Sequence, residues 1–358
     1  MDTDTNLIDP ATQIEVINRL SDKINTCYVF PEVAEQIYRH LQQTLAQGEY
    51  EGLTDGNLFA LALTMQLQEV NHDEHLWVRW HEQALPDGES ALRNEPAWQE
   101  MQRVNARAEN YGFHQLGILP GNVGYLDIHY FHKTTWAGDT AVAAMQFLSE
   151  AGAVILDLRQ CKGGYPATVA LVCSYFFGEE PTLLTSIYWR DDDLTQQYWT
   201  LPYVPGRSLS DKPLFVITSK ITFSAGEMMA SALQSYQRAT LIGEKTDGGA
   251  NPGTSFRIHP HFEAFIPIGC TIDLHTGASM DSTGIVPDIP ATPENSFNLA
   301  YKLALQTILV KFEQPGGAIN QAYNDEVKKA LRAVEHTDES ASIQGLIKPN
   351  QFSSANEL

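Results

Sequence analysis

A serine set between an apolar run and a helix-forming segment carries the clearest chemistry in this sequence. Thr222-Phe223-Ser224-Ala225-Gly226-Glu227 follows Leu214-Phe215-Val216-Ile217-Thr218, which reads as a buried strand. Met228-Met229-Ala230-Ser231-Ala232-Leu233 comes next and reads as a helix. On a sharp strand-to-helix turn a serine exposes its hydroxyl, and its backbone N–H lies near a helix N-terminus. Acyl transfer needs both, an accessible nucleophile and a donor for the developing oxyanion. An ordinary helix N-cap would use the same residue at the same place. Other segments have to decide between the two.

Three further segments share this logic. Asp157-Leu158-Arg159-Gln160-Cys161-Lys162-Gly163-Gly164 leaves the end of a buried strand, where ligands of open α/β sheets bind. Paired glycines there let backbone N–H groups approach a substrate oxygen without a Cβ clash, although a tight turn with no ligand would also use them. Asn71-His72-Asp73-Glu74-His75-Leu76-Trp77-Val78 offers a base, because histidine titrates in the range a serine hydroxyl requires. Its two histidines and two acids also suggest a metal, but the loose, carboxylate-rich spacing argues against that, and a solvated loop is the plain alternative. Thr276 to Asp288 contains Asp281, a carboxylate of the kind that orients a base histidine or caps a turn.

The elements that must position these residues divide the chain. Ile14, Val16, Ile17, Leu20 and Ile24 recur at helical spacing, as do Leu58, Leu61, Leu63 and Leu67. Tyr28-Val29-Phe30-Pro31 breaks the first helix, and Pro31 suits the first turn of the next. A further helix is predicted over 97–110. From Gly121 strands alternate with helices: strands over 123–128, 153–158, 214–218 and 239–243, and helices over 140–151 and 168–177. A meander or hairpin follows over 254–271, and one more helix after Pro315-Gly316-Gly317. This alternation predicts an α/β fold with a largely parallel sheet. The expected organisation is an N-terminal helical subdomain over 1–85, a connecting segment over 86–120, an α/β catalytic core over 121–312, and a C-terminal helix and mobile tail over 313–358.

With 358 residues the chain can bury a sizeable core. Its net charge of −21 argues against nucleic acid or an anionic membrane as the main partner. No apolar run reaches the length of a membrane span, and the N-terminus shows no secretory signal pattern. Cys27, Cys161, Cys173 and Cys270 are scattered without C-x-x-C spacing, as expected for buried, reduced thiols in a cytoplasmic protein.

In these residues the chain resembles the tail-specific, or C-terminal-processing, serine peptidases. It is most similar to the branch that includes the tricorn core protease and the interphotoreceptor retinoid-binding protein. Asn122-Val123-Gly124-Tyr125-Leu126 is similar to the strand that opens the core. Asp157-Leu158-Arg159 with Gly163-Gly164 resembles a D-L-R-x-N-x-G-G loop, and Thr222 to Glu227 the nucleophile turn. Arg238 to Glu244 with Gly248 to Gly253 is similar to the segment downstream of it, Gly284-Ile285-Val286-Pro287-Asp288 to a closing G-V-x-P-D, and Asp73-Glu74-His75-Leu76 to D-G-H-[TL]. The resemblance runs from about Leu20 to Ile289.

That resemblance implies a crotonase-like ββα-type peptidase core with a small N-terminal helical subdomain. The segment between His75 and Gly121 is too short for the PDZ module of the tail-specific proteases. It also implies Ser224 as nucleophile and an oxyanion hole from Gly163, its neighbour Gly164 and the N–H of Ala225. Many relatives activate the serine with lysine in a G-K-G segment. Here that stretch is Gly248-Gly249-Ala250, so Lys220 or Lys245 would have to substitute. The tricorn-like branch uses histidine and glutamate; His75 falls at the histidine position, and Asp281, one methylene shorter, at the glutamate's. Cys161-Lys162 and Met280 depart from the family pattern.

The function expected is therefore hydrolysis of a peptide or small amide by Ser224, with His75 as general base and Asp281 orienting it. No cofactor or metal is expected, and a homo-oligomer is compatible with the sequence. Two other uses of the fold are an acyl transferase or cyclase on the same serine and a non-catalytic binder of an apolar small molecule. Trp77, Trp80, Tyr165, Phe176 and Phe177 are candidates to line the binder's pocket.

Overall fold

The computed structural model describes residues 6–87, 91–272, 283–313 and 321–336. Its first part is built from short-range signals. Asp9 accepts the Thr12 N–H at 2.7 Å and Pro10 occupies the first turn, starting α1 (Pro10–Cys27). Pro31 opens α2 (Pro31–Ala46). Asp55 accepts the N–H groups of Asn57 and Leu58 to start α3 (Gly56–Asn71), which stops where His72 turns left-handed at φ 57°. A short strand, β1 (Trp77–Trp80), and α4 (Pro96–Ala108) follow.

The main body then alternates: β2 (Phe113–Leu119), β3 (Val123–Ile128), α5 (Thr134–Leu148), β4 (Ala153–Asp157), α6 (Pro166–Ser174), β5 (Leu183–Trp189), β6 (Leu194–Trp199), β7 (Leu214–Thr218), α7 (Ala225–Ser235) and β8 (Thr240–Gly243). It closes with β9 (Gly253–His259), β10 (Phe262–Pro267), β11 (Gly269–Ile272), β12 (Ile289–Pro290), α8 (Pro293–Glu313) and α9 (Gln321–Glu335).

The central sheet has the order β12-β8-β7-β4-β3-β2, parallel throughout except for the antiparallel edge strand β2. The apolar strands are covered on both faces. Leu126, Val154, Leu156, Leu214 and Val216 pack under α5, α6 and α7, whereas Tyr125, Ile155, Phe215 and Ile217 pack under α8 and α9. The parallel pairing of β4 with β7 puts their C-terminal ends, with the loops that follow them, side by side.

Two antiparallel three-stranded sheets flank this core, β1-β10-β9 and β11-β5-β6. The first is the floor of the N-terminal helices: Val16, Ile17, Leu20, Phe59 and Leu63 share one cluster with Val78, Phe256, Phe262 and Ala264. The helical part of the chain is thus completed by strands almost two hundred residues downstream. The predicted hairpin over 254–271 is β9, β10 and β11.

Four differences from the sequence expectation stand out. Helix α5 begins at Thr134 rather than 140, because Ala137 and Ala141 bury one face despite the intervening Gly138 and Asp139. The β5–β6 pair carries no clean alternation, since β6 is exposed along nearly its whole length. Helix α8 lies within the span expected to end the core and supplies the cover for the second face of the sheet. The segment 86–120, expected as a connection, carries α4 and the sheet-edge strand β2, and β1 lies within the span expected to be helical.

Candidate active site

Ser224 sits between β7 and α7 in a conformation that L-residues avoid, φ 53° and ψ −119°. Such a backbone costs about 1–3 kcal/mol and persists only where the surroundings impose it. Here they do. The Phe223 N–H donates to the Cys161 carbonyl at 3.0 Å, the Thr222 hydroxyl to the Leu158 carbonyl at 2.8 Å, and the Ser219 hydroxyl to the Arg159 carbonyl at 2.7 Å. The nucleophile turn is thereby sewn to the D-L-R loop.

From the other side the Glu227 carboxylate accepts the N–H of Ser224 itself at 3.0 Å, the N–H of Gly248 at 2.8 Å and the Thr246 hydroxyl at 2.5 Å. Burial outweighs these three donors and lifts the Glu227 pKa to about 7.

The glycine pair completes the turn. Gly163 and Gly164 have φ of +105° and +131°, and a Cβ on Gly163 would stand 2.7 Å from the Ser224 Cβ. Gly163 therefore abuts the serine, and its carbonyl accepts the Phe131 N–H at 2.8 Å. Gly164, Ser224 and Ala225 line one small cavity together with Pro166, Ile187 and Met228. Among the described residues the N–H groups of Gly164 and Ala225 have no acceptor. Two unpaired donors beside a serine hydroxyl are free to hydrogen-bond an incoming anionic oxygen.

His75 follows the far end of α3 and packs beside the nucleophile turn, without lining the cavity or hydrogen-bonding Ser224 among the described residues. Its ring lies on Phe223, the residue before Ser224, with centroids 4.3 Å apart. Its loop is held by Asp73, a buried carboxylate that accepts the His75 N–H at 3.0 Å, the Tyr28 hydroxyl at 2.9 Å and the Asn251 side-chain amide at 3.0 Å. Burial pushes the His75 pKa down to about 4, so the ring is neutral at neutral pH. Its Nδ1 makes no hydrogen bond among the described residues; the Asp73 Oδ1 is 3.8 Å away.

The lysine alternative finds no room. A Cβ at Gly249, the position of the family's lysine, would fall 1.9 Å from the Phe223 ring. Lys220 and Lys245 are both exposed, and neither lines the cavity. Asp281 lies outside the described residues. The closing motif is structural: Asp288 accepts the Leu241 N–H at 2.8 Å, and Ile285 exchanges hydrogen bonds with Thr246. Arg159 likewise forks onto Asp157 and donates to the Pro293 carbonyl, tying β4 to α8.

Five aromatic residues suggested for an apolar pocket do not form one. Phe176 and Phe177 are core residues, Trp77 stacks on Phe265, and none of the five lines the cavity beside Ser224. Sequence reasoning had assigned no role to Asp73, Phe223 or Glu227. The S-x-x-E spacing of Ser224 and Glu227 is a recognisable capping-box signal; nothing comparable marks Phe223.

Residues 122–291 match the profile of peptidase family S41, and residues 10–111 match the N-terminal domain of Peptidase_S41 in eukaryotic IRBP. The chain thus carries a peptidase family S41 domain preceded by an IRBP-type N-terminal domain. It is similar to the carboxyl-terminal-processing protease of Synechocystis sp. (strain ATCC 27184 / PCC 6803 / Kazusa), 36% identical over 132 residues, which are 36% of this chain and 29% of that protein. It is also similar to the tail-specific protease of Haemophilus influenzae (strain ATCC 51907 / DSM 11121 / KW20 / Rd), 33% identical over 105 residues, 28% of this chain and 13% of that one. The matched stretches thus span under a third of either relative. Among solved structures the tricorn protease superposes with a TM-score of 0.52 at 12% identity, over 89% of this chain and 37% of that one. That likeness concerns the fold.

Proposed function

We propose that this S41 chain is a serine peptidase acting through an acyl-enzyme on Ser224. The observation that carries the reading is the serine's imposed positive-φ turn, with the free N–H groups of Gly164 and Ala225 at the same cavity. In the proposed reaction the Ser224 Oγ attacks the substrate carbonyl while the His75 imidazole takes its proton. The oxyanion accepts hydrogen bonds from Gly164 and Ala225, with Gly163 keeping the approach clear. Collapse breaks the C–N bond, and His75 returns the proton to the departing amine. Water, deprotonated in turn by His75, then releases the acid.

Asp281 is the proposed orienting carboxylate. A second candidate for that part is Asp73, favoured by its 3.8 Å approach to Nδ1. The apolar wall of Pro166, Ile187, Met228 and Ile285 suits a substrate with an apolar side chain next to the scissile carbonyl. A cytoplasmic location is part of the proposal, supported by the buried, unbridged thiols of Cys27, Cys161 and Cys173; cell fractionation tests it. No helix among the described residues is long and apolar enough to cross a membrane.

Labelling with a fluorophosphonate probe tests the chemistry. Reaction of the parent that vanishes in Ser224→Ala and in His75→Ala is expected. A folded parent that never reacts contradicts the proposal. Loss only in Ser224→Ala removes His75 from it, and Asp281→Asn against Asp73→Asn separates the two carboxylates.

A further inference from the structure

A second cluster of reactive side chains lies on the edge of the central sheet, on strands that play no part in the proposed acyl transfer. Asp127 and His129 are two residues apart at the end of β3, so they share one face. Across from them β2 carries a bulge: Phe113 pairs with Ile128 and Gln115 with Asp127, leaving His114 as the extra residue. A bulge re-aims its side chain, and His114 is turned onto the same carboxylate. The His114 Nδ1 is 3.0 Å and the His129 Nε2 3.1 Å from one oxygen, Asp127 Oδ2. The two rings stack with centroids 4.2 Å apart.

We infer that His114, Asp127 and His129 form a binding site for a divalent first-row transition metal, with Zn2+ as its representative. Three arguments carry it. The donor set, two imidazoles and a carboxylate, is that of three-ligand zinc sites that leave a fourth position to solvent. The three donor atoms lie within 4.8 Å of one another. Ligands about 2.0–2.1 Å from a tetrahedral zinc stand roughly 3.3 Å apart, so the two contacts to Asp127 need only a small expansion.

The second argument is charge. Asp127 is buried at 8% exposure, yet among the described residues no lysine or arginine pairs with it. Its neighbour across the sheet, Asp157, is another carboxylate, already committed to Arg159. Buried carboxylates are normally paired or hold a metal, and this one has only two imidazoles. The third is access. His114 is exposed and His129 half-exposed, which opens one side of the cluster to solvent. No other such group of histidine, cysteine and acidic side chains occurs among the described residues.

The position also has a consequence. The His129 carbonyl accepts the Lys162 N–H at 2.9 Å, and Phe131 bonds Gly163 and Tyr165 on the same loop. A metal on His129 would therefore brace the segment after β3 to which the glycine loop is hydrogen-bonded.

The test is titration of the full-length, chelator-treated protein with Zn2+ by calorimetry, and with Co2+ by its visible ligand-field absorption. One equivalent of saturable Zn2+ binding is expected in the parent, with a tetrahedral Co2+ spectrum and a raised Tm. His114→Ala, at an exposed position that leaves the core intact, and His129→Ala should each weaken that binding by more than the 10–100-fold typical of losing an outer-shell partner. Ser224→Ala should bind as the parent does, which keeps this result independent of the peptidase proposal. Absence of saturable binding in the parent, or binding unchanged in both histidine variants, overturns the inference.

Discussion

The two halves of the candidate active site are built in different ways. Ser224 is fixed by backbone: its turn and the loop of Gly163 and Gly164 come from adjacent parallel strands and are joined by main-chain and hydroxyl bonds. His75 is fixed by side chains. It arrives from a helix with a separate core, is anchored through Asp73 to Tyr28 and Asn251, and meets the serine side only by stacking on Phe223. The proposed nucleophile and its N–H donors are thus preorganised by the sheet. The base depends on how well two cores dock.

The largest effect expected is from Ser224→Ala, which should lower turnover of an identified peptide substrate on the order of 10⁶-fold with little loss of stability. A variant that stays active would break the comparison at its first term. Gly164→Ala should come next. Its Cβ would meet the Phe131 carbonyl at 2.2 Å and displace one oxyanion donor; loss of such a donor costs about 10²–10³ in kcat.

The histidine side should respond in stability as well as rate. Asp73→Ala leaves the Tyr28 hydroxyl and Asn251 amide without their buried acceptor, each such group costing about 1–3 kcal/mol, and a urea midpoint would show it. Gly249→Ala forces the Phe223 ring away from His75 and should cost about 1–3 kcal/mol as overpacking. Equal sensitivity of both halves in rate and stability would remove the distinction.

The pH dependence sharpens it. His75 has a pKa of about 4 in the fold against 6.5 free. Between those values the unfolded chain binds the extra proton, so its contribution is full above pH 6.5 and is lost as pH falls through 4. Glu227 works the other way: its raised pKa makes its contribution fall as pH rises from 4.5 to about 7. Comparing His75→Phe with the parent cancels Glu227. The variant should gain on the parent by up to roughly 3 kcal/mol between pH 7 and pH 4, measured by denaturant unfolding at each pH.

Much of the serine side was legible in sequence, because its signals are local. An apolar run, a turn and a helix place Ser224, and two adjacent glycines place the loop. The histidine side was legible only as a motif. That Asp73 anchors it, and that Phe223 fills the space of a lysine at 249, depends on Asn251 and Gly249, which lie far along the chain. The floor of the helical subdomain was hidden for the same reason, since β9 and β10 close it from downstream. The His114 cluster depends on a one-residue bulge, which hydrophobic periodicity does not register.

The most direct test of the central claim is the rate of phosphonylation of Ser224 by a fluorophosphonate between pH 3.5 and 8, in the parent and in His75→Ala. The account predicts a parent that reacts throughout and loses rate only near pH 4, the pKa of the buried ring, and a variant that is slow at every pH. A variant that matches the parent, or a parent whose rate is unaffected by pH down to 3.5, would contradict it.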